Sequence, residues 1–323
     1  MNRMHPTCVE IEPDLIAAAT GEAAASAATR VQSHIDRCAP CAGAFQRYRA
    51  IDGVVGTARN AAAPPADVAR ARKRLETQLA DLRHRTLRYR IFPSRLGNIL
   101  IALSEQGVSL VEYLGRARTL SHSRLSRVPG AEPVEDGVEV EALFHELLGY
   151  LEGRQTRLEW PLDLRLVRGD FDRMVLHATE GIPYGAVCSY AGIACEVGKP
   201  TAARAVAQAL RWNPLPIVVP CHRVIGASGA LTGYAGDKLD LKAELLAVEG
   251  VRTLRTSRES RIPREAMYIG EPHDRWYCVP TCPSLESNEH PHRMLFFASR
   301  ERAEAAGRQP CDTCRPDLNP VAR

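Results

Sequence analysis

Within the run PIVVPCHRVIG at positions 216–226, Cys221, His222 and Arg223 stand side by side, flanked by Ile217, Val218, Val219 and Val224. A thiol in apolar surroundings is ordinarily inert, because loss of hydration disfavours the thiolate. A neighbouring imidazole that takes the thiol proton reverses this, and the poorly hydrated sulfur becomes a strong nucleophile toward carbon. The other chemistry-bearing residues fall near the two ends. Cys8, His34, Cys38 and Cys41 make one group, in which the spacing of His34 and Cys38 places both on one helix face with Cys41 a turn further on. Cys278 with Cys282, and Cys311 with Cys314, make two close pairs in a second group. Three thiols with an imidazole, or four thiols, are donor sets that suit zinc. His290 and His292, between the two pairs, read as solvated loop residues.

The whole chain bounds where such chemistry takes place. With 323 residues, 45% hydrophobic and 25% charged, there is room for two or three compact units. A net charge of +4 is too mild to mark a nucleic-acid binder by itself. Arginines concentrate in Arg70–Arg90 and Arg252–Arg264, which read as solvated links or as phosphate contacts. No apolar run reaches the length of a membrane span, and MNRMHPTCVEIEPDL lacks the apolar centre of a signal peptide. A cytoplasmic protein with no membrane partner is expected, and in that compartment ten cysteines are metal ligands or reactive thiols rather than disulfides.

The elements that position these residues can be outlined from pattern. Pro64, Pro65 and Asp67 open a helix whose apolar stripe, Val68, Leu75, Leu79 and Leu82, is thin enough for either a docking face or a spacer. NILIAL and VSLVEYL flank SEQG as a hairpin, a helix follows around Val140–Glu152, and LDLRLV reads as a short strand. Asp170 is placed as the cap of FDRMVLHATE and Gly181 as its end. SYAGIACEV, closed by Gly198, and TAARAVAQALRW, entered through Lys199 and Pro200, form a helix-turn-helix pattern in which Cys188 and Cys195 are small buried filler.

The order helix-turn-helix, RWNPLPIVVPCHRV, SGALTGYAG and LKAELLAVEG resembles the catalytic half of the O6-alkylguanine-DNA alkyltransferases, whose signature is Pro-Cys-His-Arg-Val preceded by Asn-Pro. The resemblance covers about half the chain and implies a multidomain α/β protein. It supplies a ribonuclease-H-like α/β domain at 86–168 and a winged-helix-like (helix-turn-helix) catalytic domain at 169–252, while the cysteine groups at the two ends add a small helical zinc domain at 1–50 and a small zinc domain at 265–320, with a linker helix at 51–85. It also implies an activity: single, irreversible transfer of a methyl or larger alkyl group from O6-alkylguanine, with O4-alkylthymine as a further substrate, to Cys221, in double-stranded DNA whose damaged base is flipped out. In that scheme His222 acts through a water and is oriented by Glu249, while Tyr190 and Lys242 assist the leaving base. Tyr234 lies against the base, and small residues around Ala235 let the backbone approach it. Arg204 fills the gap in the duplex, Asn213 braces the turn beside Cys221, and Arg223 joins the DNA- or substrate-binding set.

The C-terminal cysteines resemble the metal-binding module of the bacterial adaptive-response (Ada-type) proteins, with Cys278 matching the acceptor of a methyl group from DNA phosphotriesters. This chain departs from that pattern in placing the module after the alkyltransferase, in lacking the activator between them, and in carrying Val279 where arginine is common. Cys8, His34, Cys38 and Cys41 resemble the site of the zinc-containing anti-sigma factors, which implies a sigma-factor partner. Two zinc sites and no organic cofactor are thus expected. A zinc-dependent regulatory sensor of alkylation is the competing reading, and a cysteine hydrolase built on Cys221 and His222 is a further one.

Overall fold

A computed structural model describes residues 6–60, 64–235, 238–256, 259–285 and 293–321; His290 and His292 lie outside them. Packing divides the chain into two compact units, 1–78 and 79–323.

The first unit contains α1 (Pro6–Ala19), α2 (Ala25–Ile35) and α3 (Ala39–Asn60). Leu15 and Val31 are its most buried apolar side chains, packed with Cys8 and Cys41. The division between units falls within α4 (Pro65–Arg85), which has no buried residue. Its stripe is open: Val68, Leu75, Leu79 and Leu82 are all exposed.

The second unit opens with β1 (Thr86–Ser94), β2 (Gly97–Ser104), β3 (Gly107–Gly115) and β4 (Glu132–Glu135), in the sheet order β3-β2-β1-β4. The expected hairpin is β2–β3. The flanking strands were not expected from the sequence: β1 carries Arg88 and Arg90 among its apolar residues, and β4 is short and polar. Ile99 and Ile101 face one core while Leu100 and Ala102 face another, so residues 99–103 are apolar without a break because the strand is covered on both sides. On one side lies α5 (Val138–Leu151), with Val140, Phe144, Leu147 and Leu151 turned inward and Phe144 stacked on Phe92 at 4.2 Å. Removing a side chain such as Leu147 from water stabilises the fold by about 2 kcal/mol. LDLRLV is not a strand. Buried Asp163 accepts from Ser104 and Ser109 hydroxyls and from the Arg165 amide, and caps a single helical turn over Leu164–Leu166.

The remainder comprises α6 (Asp170–Glu180), β5 (Ala186–Ser189), α7 (Tyr190–Glu196), α8 (Ala203–Arg211), β6 (Val224–Ile225) and α9 (Leu239–Val248). Asp170 is the first helical residue of α6 rather than its cap, which is Gly169. Cys188 lies on β5, not in the helix pair, though it is buried as expected. Ser189 caps α7 by accepting from the Gly192 amide.

Beyond α9 come the β7–β8 hairpin (Leu254–Arg255, Ser260–Arg261), β9 (Tyr268–Gly270), β10 (Trp276–Tyr277), β11 (Leu295–Phe297), α10 (Arg300–Ala305) and β12 (Gln309–Pro310), which pairs with β10. This cysteine-bearing segment is not strung behind the rest on a free linker. β11 pairs antiparallel with β5, giving the continuous order β6-β5-β11-β9, and Leu295 and Phe297 share a core with Val224 and Cys221. Among the described residues, no helix is long and apolar enough to cross a membrane.

Candidate active site and metal clusters

Cys221 is set by a strained turn. Ile217, a β-branched residue, holds a left-handed φ of 76°, which costs energy and persists only where its neighbours over-determine it. They do: the Val219 amide donates to Leu215 O at 2.8 Å, and Asn213 braces the loop from within. Asn213 Oδ1 accepts from the Leu215 amide at 2.8 Å, while Nδ2 donates to Val219 O at 3.1 Å and to Cys221 Sγ at 3.3 Å. The sulfur therefore sits in a fixed place, buried, with one polar donor aimed at it.

Behind the cysteine a single carboxylate gathers the site. Glu249, at the end of α9, is fully buried and takes His222 Nε2 at 2.6 Å, Arg223 Nε at 3.0 Å to each oxygen, the Tyr150 hydroxyl at 2.5 Å and the Gly185 amide at 2.9 Å. Burial alone pushes this carboxyl up, but the charges of Arg223 and His222 and these hydrogen bonds outweigh it and hold it at about 2. With Nε2 committed to Glu249, the buried Nδ1 of His222 has no partner among the described residues and is free to accept a proton.

The resting charges differ from the expected thiolate–imidazolium pair. Burial raises the Cys221 thiol, against the Asn213 donor and the charge of Lys242. Burial also lowers His222, against Glu249. Arg223 already neutralises much of the carboxylate, so desolvation prevails at both groups and the site rests as a thiol beside a neutral imidazole. The cation nearer the sulfur is Lys242: fully buried, lowered by burial to about 8, and donating to Val224 O and Thr232 O.

Cys221 opens onto a pocket of about 510 Å³ that is also lined by Tyr190, Arg204, Thr232, Tyr234 and Ala235. Arg204 is exposed on the first turn of α8. Tyr190 OH donates to Thr232 O at 3.1 Å, with Lys242 Nζ 5.8 Å from its ring centre. Tyr234 is buried and its hydroxyl meets that of Tyr113, on β3, at 2.9 Å. Ala235 takes a left-handed φ of 42° at the pocket rim, a conformation that any residue with a Cβ adopts at a cost.

The structure thus brings Cys221, His222, Glu249, Asn213, Tyr190, Lys242, Tyr234, Ala235 and Arg204 to one place. Arg223 departs from its expected position. It is buried and points away from the pocket, donating to Glu249 and Ile182 O, because the only way to keep a carboxylate ionised at that depth is to pair it. Sequence reading missed Tyr150, Gly185 and Tyr113. Tyr150 lies inside the apolar stripe of α5, where nothing separates a core tyrosine from a site tyrosine.

Each cysteine group converges. The ligand atoms of Cys8, His34, Cys38 and Cys41 lie within 4.8 Å of one another, as do the sulfurs of Cys278, Cys282, Cys311 and Cys314. Metal–sulfur bonds of about 2.3 Å in a tetrahedron give sulfur–sulfur edges of about 3.8 Å, and Cys8 and Cys38 stand 3.9 Å apart. His34 Nε2 is buried without a partner among the described residues, as a ligand nitrogen would be. His34 and Cys38 do not share a helix, however. His34 lies in the last turn of α2, Cys41 lies on α3, and Cys38 sits in the turn between them. In the second cluster burial raises Cys278, whereas at Cys311 backbone amides of Cys314 and Thr313 overcome burial and lower the thiol to about 7. Both donor sets suit zinc.

A buried thiol at the floor of an open pocket, backed by an imidazole and a carboxylate, defines a protein that works through a nucleophilic cysteine. Residues 170–251 match the family described as 6-O-methylguanine DNA methyltransferase, DNA binding domain, and residues 254–317 match the metal binding domain of Ada. The methylated-DNA–protein-cysteine methyltransferase of Methanosarcina acetivorans is 38% identical over 164 residues, 50% of this chain and 97% of that one. The constitutive enzyme of the same name from Bacillus subtilis is 49% identical over 106 residues, 33% of this chain and 63% of that one. The crystal structure of Mycobacterium tuberculosis O6-methylguanine methyltransferase is 36% identical, covering 50% of this chain and 92% of that one with a TM-score of 0.43. The chain belongs to the methylated-DNA–protein-cysteine methyltransferase family.

Proposed function

We propose that the protein repairs DNA by moving an alkyl group from O6 of guanine to Cys221, once per molecule. The carrying observation is the placement of Cys221 Sγ at the floor of the pocket with the Glu249–His222 pair behind it. The thiol proton passes to His222 Nδ1 through a water while Glu249 stabilises the imidazolium that forms; Sγ bonds the alkyl carbon as the carbon–O6 bond breaks, and the electron pair leaves with guanine, which takes up a proton. Burial disfavours the charged form of both groups, and Asn213 and Lys242 at the thiol and Glu249 at the imidazole oppose it. Lys242 lies close enough to steady the negative charge during transfer. Tyr190 can serve the leaving base by exchanging its bond to Thr232 O. O4-alkylthymine, with the same leaving chemistry, is a further substrate.

In this reading α7 and α8 are a helix-turn-helix, α8 enters the DNA, and Arg204 on its first turn fills the space left by the flipped nucleotide. The domain scheme of 1–50, 51–85, 86–168, 169–252 and 265–320, with its ribonuclease-H-like and winged-helix-like parts, belongs to the same proposal. Incubated with DNA carrying O6-methylguanine, the protein is expected to gain one methyl on the Cys221 peptide and then stop, read by peptide mass. Continued turnover on acyl esters with no methylated peptide would show a cysteine hydrolase instead.

We also assign zinc to both clusters, through Cys8, His34, Cys38 and Cys41 and through Cys278, Cys282, Cys311 and Cys314. When bound, the ion keeps its thiols ionised and ties together distant segments. Metal analysis is expected to find two zinc ions per chain and one in Cys282→Ser; an unchanged content in the variant would remove the second site. A sigma-factor partner for residues 1–50 rests on resemblance. So does methyl acceptance at Cys278, which is buried, while Cys314 is the more open thiol of its cluster.

A further inference from the structure

Gly185 links two parts of the second unit. Its amide donates to Glu249 Oε2 at 2.9 Å, and its carbonyl accepts from the Ala298 amide, just past β11, at 2.9 Å. One peptide segment therefore joins the carboxylate behind His222 to the cysteine-bearing C-terminal segment. Arg302, on α10, completes the clamp. A Cβ added at Gly185 would lie 2.7 Å from Arg302 Cγ and 2.8 Å from Cδ, so the arginine stem lies directly over this glycine, whose φ of +75° also excludes most side chains. The guanidinium of Arg302 stands 4.5 Å from the ring centre of Tyr184, whose hydroxyl donates to Val248 O, the residue before Glu249. Two further contacts run between the same parts: Glu196 of α7 accepts from His273 at 2.7 Å and from Arg293 at 3.0 Å.

We propose that the C-terminal four-cysteine segment is a positioning element of the alkyl-transfer site, in which Arg302 holds the Tyr184–Gly185 turn so that its amide keeps Glu249 aimed at His222. The inference rests on the reading of Cys221 as alkyl acceptor. The clamp joins the region matched to the alkyltransferase family, 170–251, to the region matched to the metal binding domain, 254–317. It makes the state of the four-cysteine cluster felt at Cys221 through β11 and the Gly185 carbonyl, with no contact between the two sulfur centres required.

A protein that reacts once separates folding from positioning: the amplitude of methyl transfer counts competent molecules, and the rate constant reports geometry. Single-turnover transfer from O6-methylguanine DNA is therefore measured in the full chain for wild type, Arg302→Ala and Arg302→Lys, with DNA affinity measured in parallel. Arg302 is only half buried, so truncation leaves the β11–β5 pairing in place. Arg302→Ala is expected to keep the full amplitude and the wild-type DNA affinity while its rate falls roughly tenfold, a loss of about 1.4 kcal/mol at the barrier. Arg302→Lys, which retains the stem over Gly185 and a cation near Tyr184, is expected to restore the rate. An unchanged rate in Arg302→Ala overturns the proposal, as does a loss confined to amplitude, or a lysine variant as slow as the alanine one. If the wild type itself transfers no methyl to Cys221, the functional reading fails instead, and the two failures are told apart.

Discussion

Cys221→Ala is expected to carry no methyl after incubation with O6-methylguanine DNA, while binding that DNA as the wild type does. The substitution removes the one thiol among the described residues that line the pocket. Its effect on the fold is small: Asn213 Nδ2 keeps its bond to Val219 O and loses only its contact to the sulfur, and loss of one sulfur from a packed site costs about 1 kcal/mol. The missing activity is then chemical, not conformational. Cys221→Ser sharpens the result, because a serine hydroxyl in the same desolvated place has no accessible anion to offer and is expected to be equally inert. Peptide mass of the methylated product checks both. Label found at another cysteine, with guanine restored at an undiminished rate, would transfer the acceptor role away from Cys221. Cys278 and Cys314 are the sites to inspect first.

Some of this site could be read from the chain because its nucleophile, base and carboxylate partner stand in a short, ordered stretch. Cys221 and His222 adjoin, Asn213 precedes them, and Glu249 closes the helix that follows. What could not be read came from elements distant in sequence. Tyr150 reaches Glu249 across 99 positions, and Tyr113 reaches Tyr234 across 121, each from a strand or helix whose pattern records only burial. Arg223 misled for a related reason. The resemblance set this cation among the DNA- or substrate-binding residues, yet its partner is the carboxylate that an apolar interior cannot hold alone. Periodicity misled at Cys38, where a four-residue spacing fits one helix but the chain turns a corner, and at LDLRLV, where Asp163 draws donors that favour a tight turn over a strand. The junction of the four-cysteine segment with β5 was also out of reach. LFF is a plausible strand anywhere, and only the fold sets Phe296 beside Val187.

Glu249 is where these long-range contacts meet, so its removal is expected to cost most in stability. Glu249→Ala leaves the Arg223 guanidinium buried and unpaired and strips an acceptor from His222, Tyr150 and Gly185 at once. Breaking a buried ion pair from one side destabilises by about 3–5 kcal/mol, which urea unfolding of the full chain measures. Glu249→Gln keeps the shape but not the charge. It no longer raises the basicity of His222, and methyl transfer is expected to slow by about 100-fold, the scale of a weakened general base. Acid provides a separate check with a fixed sign. The Glu249 carboxyl is held at about 2 in the folded protein, below its ordinary value of 4.5. A depressed carboxyl stabilises the fold above the unfolded value and loses that contribution as pH falls toward the folded one. The stability gap between wild type and Glu249→Gln is therefore expected to be full near pH 6 and to narrow below about pH 4.5 as the unfolded carboxyl begins to bind protons. A gap of equal size at about pH 6 and about pH 3 would show that Glu249 contributes packing rather than charge. Pairing Glu249→Gln with Arg223→Met removes both charges together, and recovery of part of the lost stability would locate the penalty in the stranded guanidinium.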